Sequence, residues 1–253
     1  MELVVSAQRT GTPEALWVRS QELRQLPQLE VVRPRRVVIV APHPDDEILG
    51  AAGFMLSLLV RGISLEIIAV SDGEASHPLA EQQGIDLRSV RQGETVQALQ
   101  RLGCSAPTVT RLGLPDGQIS QNIESLVASL RTRVGLGDLC LAPWWHDGHP
   151  DHDACGNAAL SVTESVGAQC LGYLVWAWHW ADPRGTDVPW SDCRRFDFDR
   201  RTAARKRWAT GAFVSQTRPL GPDGDGDAVL SPAVMRRFWR PYEVFVHPGG
   251  TAP

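Results

Sequence analysis

Two short segments of the sequence carry histidine and carboxylate side chains at spacings that suit a metal ion. Residues 42–47 read PHPDDE, and residues 149–152 read HPDH. Zinc binds imidazole nitrogen and carboxylate oxygen together, and His43 and Asp46 can face one point across a tight turn. Asp45 lies between them, where a carboxylate can take a proton from water beside a metal ion. The pattern therefore favours metal-assisted hydrolysis.

The second segment offers a third ligand for the same ion. His149 and His152 are spaced i, i+3, so on a first helical turn both can point to the same side. This spacing permits either histidine as the ligand, while the other meets the substrate. Three protein ligands leave one coordination position open, as in catalytic zinc sites. One alternative is that the aspartates only cap a helix, which leaves the crowding of like charges unexplained. The other is a polar loop with solvated histidines, but the presence of two such segments, each after a buried strand, favours a metal site.

Each polar segment follows a predicted buried strand and precedes a predicted helix. The strands at residues 37–41 and 139–142 are short apolar runs, typical of strands that are buried on both faces. Strand and helix alternate four times, which predicts an α/β fold, a Rossmann-like three-layer αβα arrangement with a mostly parallel, twisted sheet. If the first and fourth strands are neighbours, both polar segments meet at the carboxyl edge of the sheet.

We expect one domain over residues 1–253. Its regular α/β core spans about residues 35–180, and an irregular C-terminal extension at residues 181–253 packs on the sheet. Residues 1–34 are interpreted as a leading segment that is partly helical. Alternate tryptophans at residues 173–180 are typical of a strand, and they serve either core packing or a sugar-binding surface.

Composition argues against several classes of protein. The formal net charge of -4 gives no general attraction to phosphate backbones or anionic lipid, so a nucleic-acid partner is not expected. We find no apolar run of about 20 residues and no secretory signal pattern, so no membrane span is expected. The five cysteines are scattered and form no C-x-x-C motif. This usage favours reduced thiols and a cytoplasmic location.

Together, the two polar segments resemble those of the PIG-L/LmbE family of zinc-dependent N-deacetylases. The resemblance spans about residues 37–246 and includes features between the segments. Residues 71–74 (SDGE) resemble the family's T-x-G-E segment, and residues 91–103 carry its R-x-x-E pattern followed by L-G. Residues 114–117 (LPDG) resemble its D-G turn after the third strand.

The resemblance implies a role for each residue of the two segments. One Zn²⁺ ion is expected to be held by His43, Asp46 and His152. Asp45 is expected to be the general base, and His149 to support the tetrahedral intermediate or to protonate the leaving amine. Asp151 is counted with these catalytic residues, one layer behind the ligands.

Four side chains are expected to contact the substrate at the rim of the site: Arg91, Asp116, Asp147 and His179. The alternative for Arg91 is a helix-surface arginine paired with Glu94, and for His179 a structural hydrogen bond. Family members acting on sugar–inositol substrates can carry a tyrosine where this chain has Asp147. Any oxyanion contact from that tyrosine must here come from His149 or another group.

The expected activity is removal of an N-acyl group, expected to be acetyl, from an amino sugar or glycoside by metal-activated water. The expected partner is therefore a small-molecule amide. One alternative is an amidase acting on a thiol conjugate or an acylated natural product. A remote alternative is a non-catalytic nucleotide-binding Rossmann module, but residues 42–47 lack the G-x-G-x-x-G pattern of such modules.

Overall fold

The chain is described here from a computed structural model that covers most of its length. The described residues are 11–30, 33–78, 80–104, 107–220 and 228–249. Of the predicted leading segment, residues 1–10 and 31–32 lie outside these ranges, as do parts of the predicted C-terminal extension. Among the helices so described, none has the length and apolar character needed to cross a membrane.

Strands and helices alternate along most of the described chain. The strands are β1 (Val37–Ala41), β2 (Leu65–Ala69), β3 (Thr108–Arg111), β4 (Leu139–Pro143), β5 (Gln169–Tyr173), β6 (Cys193–Asp197) and β7 (Tyr242–Val246). The helices are α1 (Glu14–Arg19), α2 (Gln21–Gln25), α3 (Asp46–Val60), α4 (Leu87–Leu102), α5 (Ile123–Arg131), α6 (Pro150–Val166), α7 (Ala177–Trp180), α8 (Arg200–Thr210), α9 (Val214–Thr217) and α10 (Pro232–Met235).

These strands form one seven-stranded sheet in the order β3-β2-β1-β4-β5-β7-β6. The first five strands pair in parallel, and β7 pairs antiparallel with both β5 and β6. Every residue of β1 is buried, because alternate side chains enter two separate cores. Val37 and Ile39 belong to one core, and Val38 and Val40 to the other. The predicted mostly parallel α/β sheet with helices on both faces is confirmed.

The strand predicted at residues 173–180 is wrong. β5 ends at Tyr173, and the tryptophan-rich stretch instead forms the short helix α7. The backbone N–H groups of Val175, Trp176 and Ala177 all donate to the carboxylate of Asp147, which leaves them unavailable for a sheet ladder. Alternation of tryptophan resembles a strand pattern, but this carboxylate, distant in sequence, decides the local structure.

A buried ion pair attaches the C-terminal part of the chain to α3. Lys206 Nζ lies 2.7 Å from Glu243 Oε1 and donates to the carbonyl oxygen of Leu49 at 2.8 Å. The carboxylate of Glu243 also accepts the backbone N–H groups of Gly53 and Phe54, at 2.8 and 2.9 Å. Both charges therefore have several partners, and they connect α8 and β7 to the middle of α3.

We predict that Lys206→Met lowers the free energy of unfolding by about 3 kcal/mol, because it leaves the buried Glu243 carboxylate without its cation. Urea denaturation followed by circular dichroism measures this change. Arg184→Met is the control, since Arg184 is 78% exposed in its ion pair with Asp182 and its loss should cost less than about 1 kcal/mol. Equal effects of the two substitutions would contradict a stabilising role for the buried pair.

Candidate active site

The two polar segments lie side by side because their strands are neighbours. β1 pairs in parallel with β4, with Val37 opposite Leu139 and Ile39 opposite Leu141. The carboxyl ends of parallel strands open onto the same edge of a sheet. The expectation that the first and fourth strands bring the two segments together is therefore confirmed.

Three ligand atoms from these segments form an equilateral triangle. Asp46 Oδ2 lies 3.3 Å from His43 Nδ1 and 3.3 Å from His152 Nε2, and the two nitrogens are 3.3 Å apart. In a tetrahedral zinc site with bonds of about 2.0–2.1 Å, neighbouring ligand atoms are separated by about 3.3 Å. The triangle therefore fits one face of such a tetrahedron, and the three residues can hold a metal ion.

A second group of potential ligands, formed by His43, His149 and Asp151, is less suited to a metal. The carboxylate of Asp151 accepts backbone N–H groups from Gly117 at 2.8 Å and from Ile119 at 3.2 Å. It also lies 3.2 Å from His43 Nε2. Since these partners already occupy the carboxylate, we favour the triangle over this second group.

Each histidine of the triangle has a carboxylate behind it that orients its ring. His152 Nδ1 lies 2.7 Å from Asp147 Oδ2. His43 Nε2 lies 3.1 Å from Asp116 Oδ1 and 3.2 Å from Asp151 Oδ2. A carboxylate binds the protonated ring nitrogen, which directs the lone pair of the other nitrogen to the metal position. The predicted substrate residue Asp116 therefore also supports a ligand.

The same carboxylates change the pKa values of both histidines. Burial lowers the pKa of His152, but the charge of Asp46 and the bonds to Asp46 and Asp147 outweigh it and raise the pKa to about 9. Burial likewise opposes a charge on His43, yet Asp116 and the neighbouring carboxylates raise its pKa well above the usual value. Without a metal the site therefore binds protons, and metal binding must displace them.

Asp147 does not contact the pocket, so its prediction as a substrate residue is wrong. Its side chain is fully buried. Oδ1 accepts the N–H groups of Val175 and Ala177, both at 3.0 Å, and Oδ2 accepts that of Trp176 at 2.8 Å. With His152 as a fourth partner, the carboxylate is fully used in positioning that ring.

Asp45 lies at the start of α3 in a backbone conformation that few residues adopt. Its φ of 125° makes it the only non-glycine residue with positive φ among those described. Such strain persists where surrounding contacts hold it, often at functional sites. Burial raises the pKa of Asp45 to about 7, against the lowering effect of the Arg91 charge. The adjacent Glu47 is also buried, and burial raises its pKa to about 8.

Arg91 is a buried residue of the cavity wall and not a partner of Glu94. It is buried, and its Nη2 donates to Asp45 Oδ2 at 3.1 Å and to the carbonyl oxygen of Pro44 at 2.6 Å. Its Nη1 donates to the carbonyl oxygen of Gly73 at 2.8 Å. Arg91 thus borders the pocket but orients Asp45, and the predicted surface pair with Glu94 is wrong.

His149 presents a neutral ring to the pocket. Its Nδ1 accepts the backbone N–H of Asp151 at 3.2 Å, which places the ring proton on Nε2. The ring stacks on Trp176 with centroids 5.9 Å apart. Burial, followed by the charges of His152 and His43, lowers the pKa of His149 to about 3. The Nε2–H group therefore serves as a hydrogen-bond donor at neutral pH.

These groups line a cavity of about 300 Å³ with two kinds of wall. Its apolar lining includes Leu49, Val175, Trp176, Val229 and Leu230. Its polar lining outside the ligand triangle includes Ser76, Arg91, Asp116 and Gln216. Sequence reasoning missed Ser76, Gln216, Val229 and Leu230, because they lie in turns or in helices of three or four residues that carry no chemical motif.

His179 lies outside the cavity lining, so its prediction as a substrate contact is wrong. α7 places it in the interior, where its Nδ1 lies 2.8 Å from Arg237 Nη1. The structural alternative for this histidine is therefore correct. Of the tryptophans around it, Trp178 packs against Trp17 in the core, while Trp176 lines the pocket.

We predict that Asp147→Asn weakens zinc binding by about 10- to 100-fold, because an amide does not hold the Nδ1 proton of His152 as a carboxylate does. Competition with a chromogenic chelator measures the affinity. Asp153→Asn is the matched control, since Asp153 lies on the first turn of α6 and, among the described residues, its carboxylate accepts only the N–H of Gly148. Unchanged affinity in Asp147→Asn would contradict this role.

Two curated relatives of the chain are named as deacetylases. The diacetylchitobiose deacetylase of Thermococcus kodakarensis is 22% identical over 135 residues, which are 53% of this chain and 51% of that protein. A probable N-acetyl-α-D-glucosaminyl L-malate deacetylase 2 of Bacillus anthracis is 27% identical over 148 residues, 52% of this chain and 61% of that protein. The chain therefore spans between half and two thirds of the length of these curated relatives.

The fold and one sequence family also match. The crystal structure of a conserved protein from Thermus thermophilus has a TM-score of 0.57 at 24% identity, covering 86% of this chain and 96% of that one. This likeness shows a shared fold. The family described as "PIG-L: GlcNAc-PI de-N-acetylase" matches residues 38–163, about half of the chain, including both polar segments. The chain therefore belongs to the PIG-L family.

Proposed function

We propose that this protein is a zinc-dependent hydrolase that removes an N-acyl group, expected to be acetyl, from an amino sugar or glycoside. The observation that carries the proposal is the 3.3 Å triangle of His43, Asp46 and His152, with Asp45 and His149 in the same cavity. Family membership supports the reaction, and the names of the two curated deacetylases support an acetylated amino sugar.

The donor set supports one zinc ion as the cofactor. Two imidazole nitrogens and one carboxylate oxygen are typical ligands of catalytic zinc, with one position left for water or substrate. When bound there, zinc supplies Lewis-acid chemistry, which polarises an amide carbonyl and makes water more acidic. His43, Asp46 and His152 are the residues that would hold it.

The remaining groups perform the proton transfers and stabilise charge. Asp45 accepts a proton from the water that attacks the acyl carbonyl carbon, and Arg91 keeps its carboxylate oriented. The neutral His149 donates its Nε2–H to the carbonyl oxygen as that oxygen becomes negative. Asp45 then returns the proton to the leaving nitrogen, and the C–N bond breaks to give a free amine and a carboxylate. Asp151 contributes by fixing the positions of His43 and His149.

The protein as a whole is proposed to act as a single domain on a small-molecule amide. The C-terminal part supplies wall residues of the cavity and belongs to the same sheet. A cytoplasmic location is proposed from the scattered cysteines of the sequence. The names of the relatives do not favour the amidase or the nucleotide-binding alternative.

The decisive experiment combines metal analysis with amine release from a panel of N-acetylglucosaminides and acylated glycosides. We expect about one zinc ion per chain at the single site, and amine release that a chelator abolishes and added zinc restores. Absence of bound zinc together with absence of amine from every substrate, even with zinc added, would contradict the proposed function.

We predict that Asp45→Asn keeps zinc but loses about 10²- to 10⁴-fold in kcat, because an amide cannot accept the proton of water. Asparagine tolerates positive φ, so the backbone at residue 45 should be retained. Zinc content and amine release are measured on the same preparation. Wild-type turnover in this variant would remove Asp45 from the role of base.

A further inference from the structure

Gln216 enters the cavity wall from the C-terminal part of the chain. It lies on α9, is only 2% exposed, and lines the same cavity as Asp45 and His149. Both backbone polar groups of Gln216 are hydrogen-bonded: its N–H donates to the carbonyl oxygen of Phe213, and its own carbonyl oxygen accepts the N–H of Leu230. This residue lies outside the stretch that matches the family, and the mechanism above does not use it.

Two serine hydroxyls determine the orientation of the Gln216 amide. Ser76 Oγ donates to the carbonyl oxygen of Gly73 at 2.9 Å, and Ser215 Oγ donates to Glu94 Oε2 at 2.7 Å. Each hydroxyl has a single proton, so towards Gln216 both offer only lone pairs. Gln216 Nε2 donates to them at 3.2 and 3.0 Å. Both protons of the amide nitrogen are therefore used within the protein.

The carbonyl oxygen of the same amide is left as an acceptor at the cavity wall. Within the described part of the chain, no donor to Gln216 Oε1 is found, and this oxygen is not fully buried, so it is open to the cavity that Gln216 lines. An acceptor held in place at a pocket wall is one of the few polar groups that can orient a bound ligand.

We propose that Gln216 Oε1 accepts a hydrogen bond from a hydroxyl group of the substrate sugar, and that Gln216 is a specificity-determining residue. This inference rests on the proposed function, since it assumes an acylated amino sugar in the cavity. A cavity of about 300 Å³ has room for roughly one sugar ring with its acyl group. Such a ring presents several hydroxyls as donors.

Contacts on the other side of Gln216 connect it to the reacting end of the pocket. Ser76 Oγ also accepts a hydrogen bond from Nη1 of Arg91 at 3.4 Å, and Nη2 of the same arginine donates to Asp45 Oδ2. Glu94, one turn further along α4, holds the start of α9 through Ser215. α4 thus orients the proposed base and the proposed hydroxyl acceptor together.

The experiment measures kcat/KM on an N-acetylglucosaminide and on its 3-deoxy, 4-deoxy and 6-deoxy analogues. For the wild type, we expect kcat/KM to be about tenfold lower on one analogue than on the parent sugar, because a single hydrogen bond is removed. Methionine has a similar volume to glutamine but no carbonyl acceptor. Gln216→Met should therefore have a kcat/KM about tenfold below that of the wild type on the parent sugar, and no lower value on that analogue.

Thr217→Val is the control within α9, because it removes only the bond from Thr217 Oγ1 to the carbonyl oxygen of Phe213. Any effect of this variant should be the same for all four sugars. The proposal would be overturned if Gln216→Met lowered kcat/KM by the same factor on all four sugars, since a purely structural role affects every substrate equally. Equal kcat/KM values of the wild type on all four sugars would also overturn it.

A binding comparison separates this inference from the proposed function. The four sugars are titrated by calorimetry into zinc-loaded Asp45→Asn protein, with and without the additional substitution Gln216→Met. This experiment compares the affinities for the four sugars in the absence of turnover. A wild type without amine release would contradict the proposed function alone. A binding pattern in which Gln216→Met weakens all four sugars equally would overturn the role of Gln216.

Discussion

The carboxylate of Asp147 is the contact on which the geometry of the site depends most. It binds Nδ1 of His152 and three successive backbone N–H groups at the start of α7. One side chain therefore orients a proposed metal ligand and determines the course of the chain after β5. That course in turn places Trp176 against the ring of His149. The carboxylate of Asp147 consequently influences both the triangle of ligand atoms, through His152, and the pocket wall, through Trp176.

Charge imposes a second constraint. Several carboxylates are buried within a small volume at the carboxyl edge of β1 and β4, and they repel one another unless positive charge is present. Arg91 offsets Asp45, and protons on His43 and His152 offset the carboxylates around them. A divalent cation held by His43, Asp46 and His152 would replace those protons with a more concentrated charge. The same carboxylates that raise the pKa values of these histidines thus create an environment suited to a metal ion.

The sequence predicted the parts of the site in which local pattern and topology agree. Buried strands followed by His43 and His152 placed both segments at one sheet edge, which the pairing of β1 with β4 confirms. Asp147 was misjudged because its partners in α7 lie about 30 residues later, where alternating tryptophans indicated a strand. Gln216 gave no signal, since it belongs to a four-residue helix whose position depends on a tertiary contact with Glu94.

The buried pair of Lys206 and Glu243 has a consequence for exchanging segments between relatives. Gln216 and the apolar wall at Val229 and Leu230 lie beyond residue 163, where the family match ends, so a chimaera joined there would appear to be a simple route to a new substrate range. However, the transplanted segment would also carry both charges that bind the middle of α3, inside the matched region. A graft that did not meet the host helix in the same way would keep the ion pair but bury it without the N–H groups of Gly53 and Phe54 and the carbonyl oxygen of Leu49. The proposed selectivity is therefore transferable only together with α3, the helix that begins at the candidate metal site.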